Sequence, residues 1–87
     1  MLSVTLLVNN DVGLHARPAN NLVKEASKFK SEITITKNNS VKSAKNILNV
    51  LSLSVAKGDH ITITANGPDE KEAIQALKKL SDNNFGA

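Results

Sequence analysis

The chain contains no cysteine, tryptophan or tyrosine. Without cysteine there are no disulfide staples and no thiolate metal sites. Phe29 and Phe85 are the only aromatic residues. A single-strand nucleic-acid binder stacks bases on rings, and this chain has almost none to offer. No apolar run approaches the roughly 18 residues of a membrane span. The first residues, MLSVTLLVNND, lack the basic region and small-residue cleavage site of a signal peptide, so a cytoplasmic location is expected, with no membrane insertion. Strong charge is missing too. The net charge is +3, carried by scattered lysines and by Arg17, the single arginine. That balance suits anionic groups or an acidic protein partner, and no nucleic acid is expected.

What is present describes one globular domain over residues 1–87. The hydrophobic fraction is 40% and the charged fraction 22%, enough for a modest core and too apolar for disorder. Ser3 to Val8 alternates like a strand. Residues 16–29 place Ala19, Leu22, Val23, Ala26 and Phe29 on one helical face, with Pro18 in the first turn, where a missing N–H costs little. EITIT at 32–36 and ITITA at 61–65 alternate isoleucine with threonine, as in a sheet packed on one face and wet on the other. Asn38-Asn39 reads as a hairpin turn leading to a short strand through Val41. Residues 46–55 fit either a strand or a short helix. Asn46 as N-cap tips the reading to helix. Asp69, with Glu72 three residues on, predicts a capping box opening the last helix. The tail from Ser81 to Ala87 is expected to fray, with Phe85 folded back. The resulting order is β-α-β-β-α-β-α.

One segment asks for chemistry: Gly13-Leu14-His15-Ala16-Arg17-Pro18-Ala19. The spacing puts His15 at a helix N-cap, where Ser, Thr, Asp or Asn is usual. The first N–H groups of a helix, including that of Ala16, lack intrahelical partners and face an electropositive end. Such an end suits a phosphate. Arg17 adds a forked donor two residues on. Neutral imidazole is a nucleophile, so the group could form and hold a phosphohistidine. The plain reading is a polar cap on an ordinary loop, and physics alone leaves both open. His60 has no comparable surroundings and reads as a surface residue. No acidic cluster flanks either histidine, so no metal site is expected.

The segment resembles the active-site signature of the HPr family, the histidine phosphocarriers of the bacterial phosphoenolpyruvate-dependent phosphotransferase system. Val23 to Phe29, Ser31 to Thr34, Ser43-Ala44-Lys45, Leu51-Ser52-Leu53, Ala56-Lys57-Gly58, Ile61-Thr62-Ile63 and Gly67 to Glu70 are similar to the family as well. The resemblance implies an α+β open-faced β-sandwich: an antiparallel four-stranded sheet of order 1-4-2-3 with three helices on one face, residues 47–52 forming the second. It implies a monomeric carrier, not a stand-alone enzyme, that needs no cofactor. By that resemblance enzyme I would phosphorylate His15 on Nδ1, and the group would pass to a histidine of an enzyme II A domain, with regulatory proteins a further partner class. Arg17 would contact the phosphate, and Ile47, Leu48 and Leu51 would dock partners, with Asn20 near that surface. Lys24 and Lys45, in segments placed close to His15, are added as docking candidates from their position in the sequence. Asn46 stands where the family often has a regulatory serine, so no regulatory phosphorylation is expected. Asn20 and Val12 also depart from common family residues. Asn46 leans to the nitrogen-type paralogue and Ser31 to Thr34 to the sugar type, and both branches stay open. A binding module of the same fold that never carries phosphate is the remaining alternative. Relatives of that kind replace the histidine that this chain keeps.

Overall fold

The alternating segments become a sheet because each buries one row of side chains. In a computed structural model describing residues 1–86, the elements are β1 (Leu2–Leu7), α1 (Ala16–Ala26), β2 (Glu32–Lys37), β3 (Ser40–Ser43), α2 (Ile47–Ser52), β4 (His60–Asn66) and α3 (Glu70–Asp82). A 3₁₀ turn over Asn84–Gly86 follows. All strand pairs are antiparallel and the order is β1-β4-β2-β3. The three helices cover one face, giving the expected α+β open-faced sandwich. Ile35 of β2 lies opposite Ile63 of β4, and Leu6 of β1 opposite Ile61. These inward residues pack against Ala19, Leu22 and Ala26 of α1 and Ala73 and Leu77 of α3. The other face carries hydroxyls, which pair across strands: Ser3 with Thr64 at 2.9 Å and Thr5 with Thr62 at 3.1 Å. At the far edge, β3 is four residues long and every one is exposed.

Three expectations need correction, all from contacts distant in sequence. The helical pattern to Phe29 overruns α1, which ends at Ala26. Asp69 draws the following turn away by accepting the Ser31 and Lys30 N–H groups, at 2.9 and 2.8 Å, and the Ser31 hydroxyl. Asp69 itself occupies the N-cap of α3, but its carboxylate makes no cap bond. Glu70, not Glu72, closes that end, accepting the Gly67 N–H at 3.1 Å. Finally, the tail does not fray through its described part. Phe85 is buried, and Asn21 Nδ2 on α1 donates to its carbonyl at 2.9 Å. Ala87, the last residue of that tail and of the predicted domain, lies outside the described residues.

The ambiguous segment is helical over Ile47–Ser52, and Asn46 caps it: its Oδ1 accepts the Asn49 N–H at 3.1 Å. The helix ends at Ser52, short of the 46–55 stretch, because Ser54 turns into the left-handed region at φ 51°.

Candidate functional site

The loop before α1 is shaped by close approach. Gly13 has φ 61°, and a Cβ there would collide with the Val55 carbonyl oxygen and lie 2.8 Å from Ala56 Cα. Only glycine accepts both the sign of φ and the lack of space. The loop is pinned to the 53–57 segment by Leu14 N–H donating to Val55 O at 3.0 Å. It is closed on itself by Gly13 N–H to Asn10 O at 3.0 Å and by Asn10 Nδ2 to Gly13 O. His15 then enters α1 as its N-cap, with φ −76° and ψ −171°. Its ring makes no cap bond and is exposed. An ordinary cap residue would occupy a helix N–H with its own oxygen; His15 leaves the end open.

The open end has a defined donor set. The first intrahelical bond runs from Ala19 N–H to His15 O at 2.9 Å. Ahead of it come Ala16 and Arg17, whose N–H groups have no partner within the helix, and Pro18, which has none to offer. The Arg17 side chain is exposed and pairs with no carboxylate among the described residues. His15 and Ala16 line a groove of about 330 Å³ with Leu14, Leu51, Ser54, Val55 and Ala56. Its far wall is the segment after α2. That wall is braced from behind: Lys37 Nζ bonds Ser54 O at 2.9 Å and Asp59 Oδ2 at 3.0 Å, and Asp59 accepts the Ala56 N–H at 2.8 Å. The Ala56 N–H and then Lys37 hold the Asp59 carboxyl below its ordinary range. Beside it, Lys57 and Asp11 pair at 2.9 Å. Their hydrogen bond, then their opposite charges, lower the Asp11 carboxyl and raise the Lys57 ammonium.

The structure gathers some of the sequence-predicted residues and separates others. His15, Ala16 and Arg17 stand together. Arg17, Asn20 and Lys24 fall at i, i+3 and i+7, so they share the exposed face of α1, with Lys24 about two turns along. Leu48 projects, 74% exposed, whereas Ile47 and Leu51 are half-buried against the core. Leu51 also lines the groove beside His15. Lys45 is not at His15. Its ammonium donates to Phe29 O at 2.7 Å, beyond the opposite end of α1. Ser54, Val55 and Ala56 were missed by sequence reasoning. They lie about forty residues from His15, and no spacing or periodicity connects them.

The arrangement offers a phosphoryl group an exposed nucleophile, two backbone donors and a free guanidinium. Comparison with known proteins points to the same chemistry. The family profile described as "PTS HPr component phosphorylation site" matches residues 2–83. The chain is 47% identical over 79 residues to phosphocarrier protein HPr of Mycoplasma capricolum, covering 91% of this chain and 89% of that one. It is 41% identical over 85 residues to the multiphosphoryl transfer protein of Haemophilus influenzae, covering 94% of this chain and 17% of that longer protein. The crystal structure of an HPr from Thermoanaerobacter tengcongensis superposes with a TM-score of 0.96 at 45% identity, over 100% of this chain and 98% of that one.

Proposed function

This chain belongs to the HPr family of phosphotransferase-system phosphocarriers, and from that premise we propose that His15 is its phosphorylated residue, charged by enzyme I and discharged onto a histidine of an enzyme II A domain. The observation that carries the reading is the helix end left open. His15 sits at the N-cap without capping, and the donors behind it have no internal partner. The neutral imidazole attacks the phosphorus of the donor's phosphohistidine. The N–P bond to the donor breaks as the new one forms, and the donor imidazole departs with the electron pair. The Ala16 and Arg17 N–H groups and the Arg17 guanidinium stabilise charge on the phosphoryl oxygens, through positioning and electrostatics.

Docking uses the surface around the groove. Leu48 is the projecting apolar anchor, Ile47 and Leu51 support it from the half-buried side, and Arg17, Asn20 and Lys24 supply a polar and cationic rim for an acidic partner. The protein acts as a cytoplasmic monomer and as a substrate of its partners. Among the described residues no helix is long and apolar enough to cross a membrane. Asn46 keeps the α2 cap while lacking the hydroxyl that a serine kinase needs.

The test supplies phosphoenolpyruvate with either a sugar-type or a nitrogen-type enzyme I and follows the protein by mass spectrometry. An acid-labile phosphoryl adduct on His15, transferable to an enzyme II A domain, is expected. Charging by one enzyme I alone assigns the branch. No adduct with either enzyme would defeat the proposal.

A further inference from the structure

We propose that Ser54 is a further phosphoryl-binding residue: its hydroxyl donates a hydrogen bond, across the groove, to an oxygen of phosphorylated His15, and Lys37 positions it there. The proposal deepens the carrier reading and rests on it.

The starting observation is a residue in the wrong conformation for its type. Ser54 follows the C-cap of α2 and has φ 51°. Glycine usually fills that place, and asparagine sometimes does, because they enter the left-handed region with the least strain. A non-glycine outlier of this kind persists only where its surroundings hold it, and such outliers gather at functional sites. Here the surroundings do hold it. The Ser54 N–H donates to Leu51 O at 3.2 Å, and its carbonyl accepts Lys37 Nζ at 2.9 Å. The same ammonium grips Asp59 at 3.0 Å, and Asp59 ties down the Ala56 N–H. Ser54 is therefore fixed from both sides while its hydroxyl, which glycine would lack, makes no hydrogen bond among the described residues.

The second observation is location. Ser54 is exposed and lines the groove that His15 lines. Its companions on that wall are Leu51, Val55 and Ala56, so it holds the wall's one side-chain donor. The donors at the start of α1 all approach from the His15 side. A phosphoryl group carries three acceptor oxygens, and at least one faces the opposite wall. Serine supplies a short, neutral donor for it.

The test reads an equilibrium, so that altered docking rates do not enter. The protein is brought to equilibrium with enzyme I at a fixed ratio of phosphoenolpyruvate to pyruvate, and the phosphorylated fraction is measured. Ser54→Gly is expected to shift the ratio roughly three- to tenfold toward the free form, the worth of one hydrogen bond, while melting no lower than the parent. Ser54→Asn, which tolerates the left-handed backbone and restores a donor, is expected to keep the parent ratio. Lys37→Met is expected to shift the ratio in the parent but not in the Ser54→Gly background. An unchanged ratio in Ser54→Gly would overturn the role of the hydroxyl. Equal shifts for Lys37→Met in both backgrounds would overturn the positioning by Lys37. A parent that takes no phosphoryl group would overturn the carrier reading, and this inference with it.

Discussion

The two ends of α1 are built on opposite plans. Past its C-terminal end the turn is tied down from elsewhere in the chain: Lys45 takes the Phe29 carbonyl, and Asp69 takes the Lys30 and Ser31 N–H groups and the Ser31 hydroxyl. At its N-terminal end the cap residue makes no cap bond, and the first donors have no partner in the helix. Both ends could have been closed by the same means. On the proposed carrier reading, the open end is where the phosphoryl group is received, while the closed end ties the helix to the start of α3 and to the segment after β3.

The contrast can be tested by breaking either end. His15→Ala should give the largest effect: complete loss of the acid-labile phosphate in the enzyme I assay, with a melting temperature near the parent's, because no side-chain cap bond is lost. Phosphate persisting on the variant, on His60 for instance, would place the chemistry elsewhere. Arg17→Lys keeps the charge and loses the planar fork, and should slow transfer by about tenfold, the worth of one charge-assisted bond. Rapid-quench measurement of both half-reactions checks it; parental rates would show that charge alone suffices.

The closed end should respond in stability. Asp69 is held at about 2, against 3.8 unperturbed, chiefly by the Ser31 hydroxyl and then by the Lys30 N–H. A lowered folded-state value stabilises the fold above the unfolded value, and the contribution disappears as pH falls from about 4 through about 2. Asp69→Asn should lower the melting temperature by several degrees at neutral pH and flatten the loss of stability across that acid window. An acid limb as steep as the parent's would assign it to other carboxylates. Lys45→Met should have the smallest effect, about 1 kcal/mol in chemical denaturation, from the uncapped Phe29 carbonyl. A larger loss would mean that the lysine stem packs as well as its head.

Much of this was legible before any fold was known, for reasons particular residues make plain. The Ile/Thr alternation at 32–36 and 61–65 has one physical solution, a sheet wet on one side. His15 was conspicuous because it broke the N-cap preference beside a glycine, an arginine and a proline. What stayed hidden depends on contacts far apart in sequence. Asp69 has the local signature of a helix cap, yet its carboxylate serves a turn about forty residues earlier, so the last turn of α1 was overcounted. Lys45 looked like a candidate for the site until the fold sent its ammonium to Phe29. Nothing in the sequence sets Ser54 apart. Its left-handed backbone and its place opposite His15 follow from where α2 stops and from a lysine at the end of β2, and neither leaves a local pattern.

The short outer strand β3 has a consequence for throughput. A shuttle works by collision, so its flux rises with its concentration, and concentration is limited by what the molecules do to one another. An unpaired sheet edge invites strand-to-strand association. Here that edge is four residues long, fully exposed, and carries Lys42, and lysine is a residue that blunts edge pairing. The edge gives a second copy little length to pair with. At this edge, then, two copies have little to hold on to, and what limits concentration there is not strand pairing.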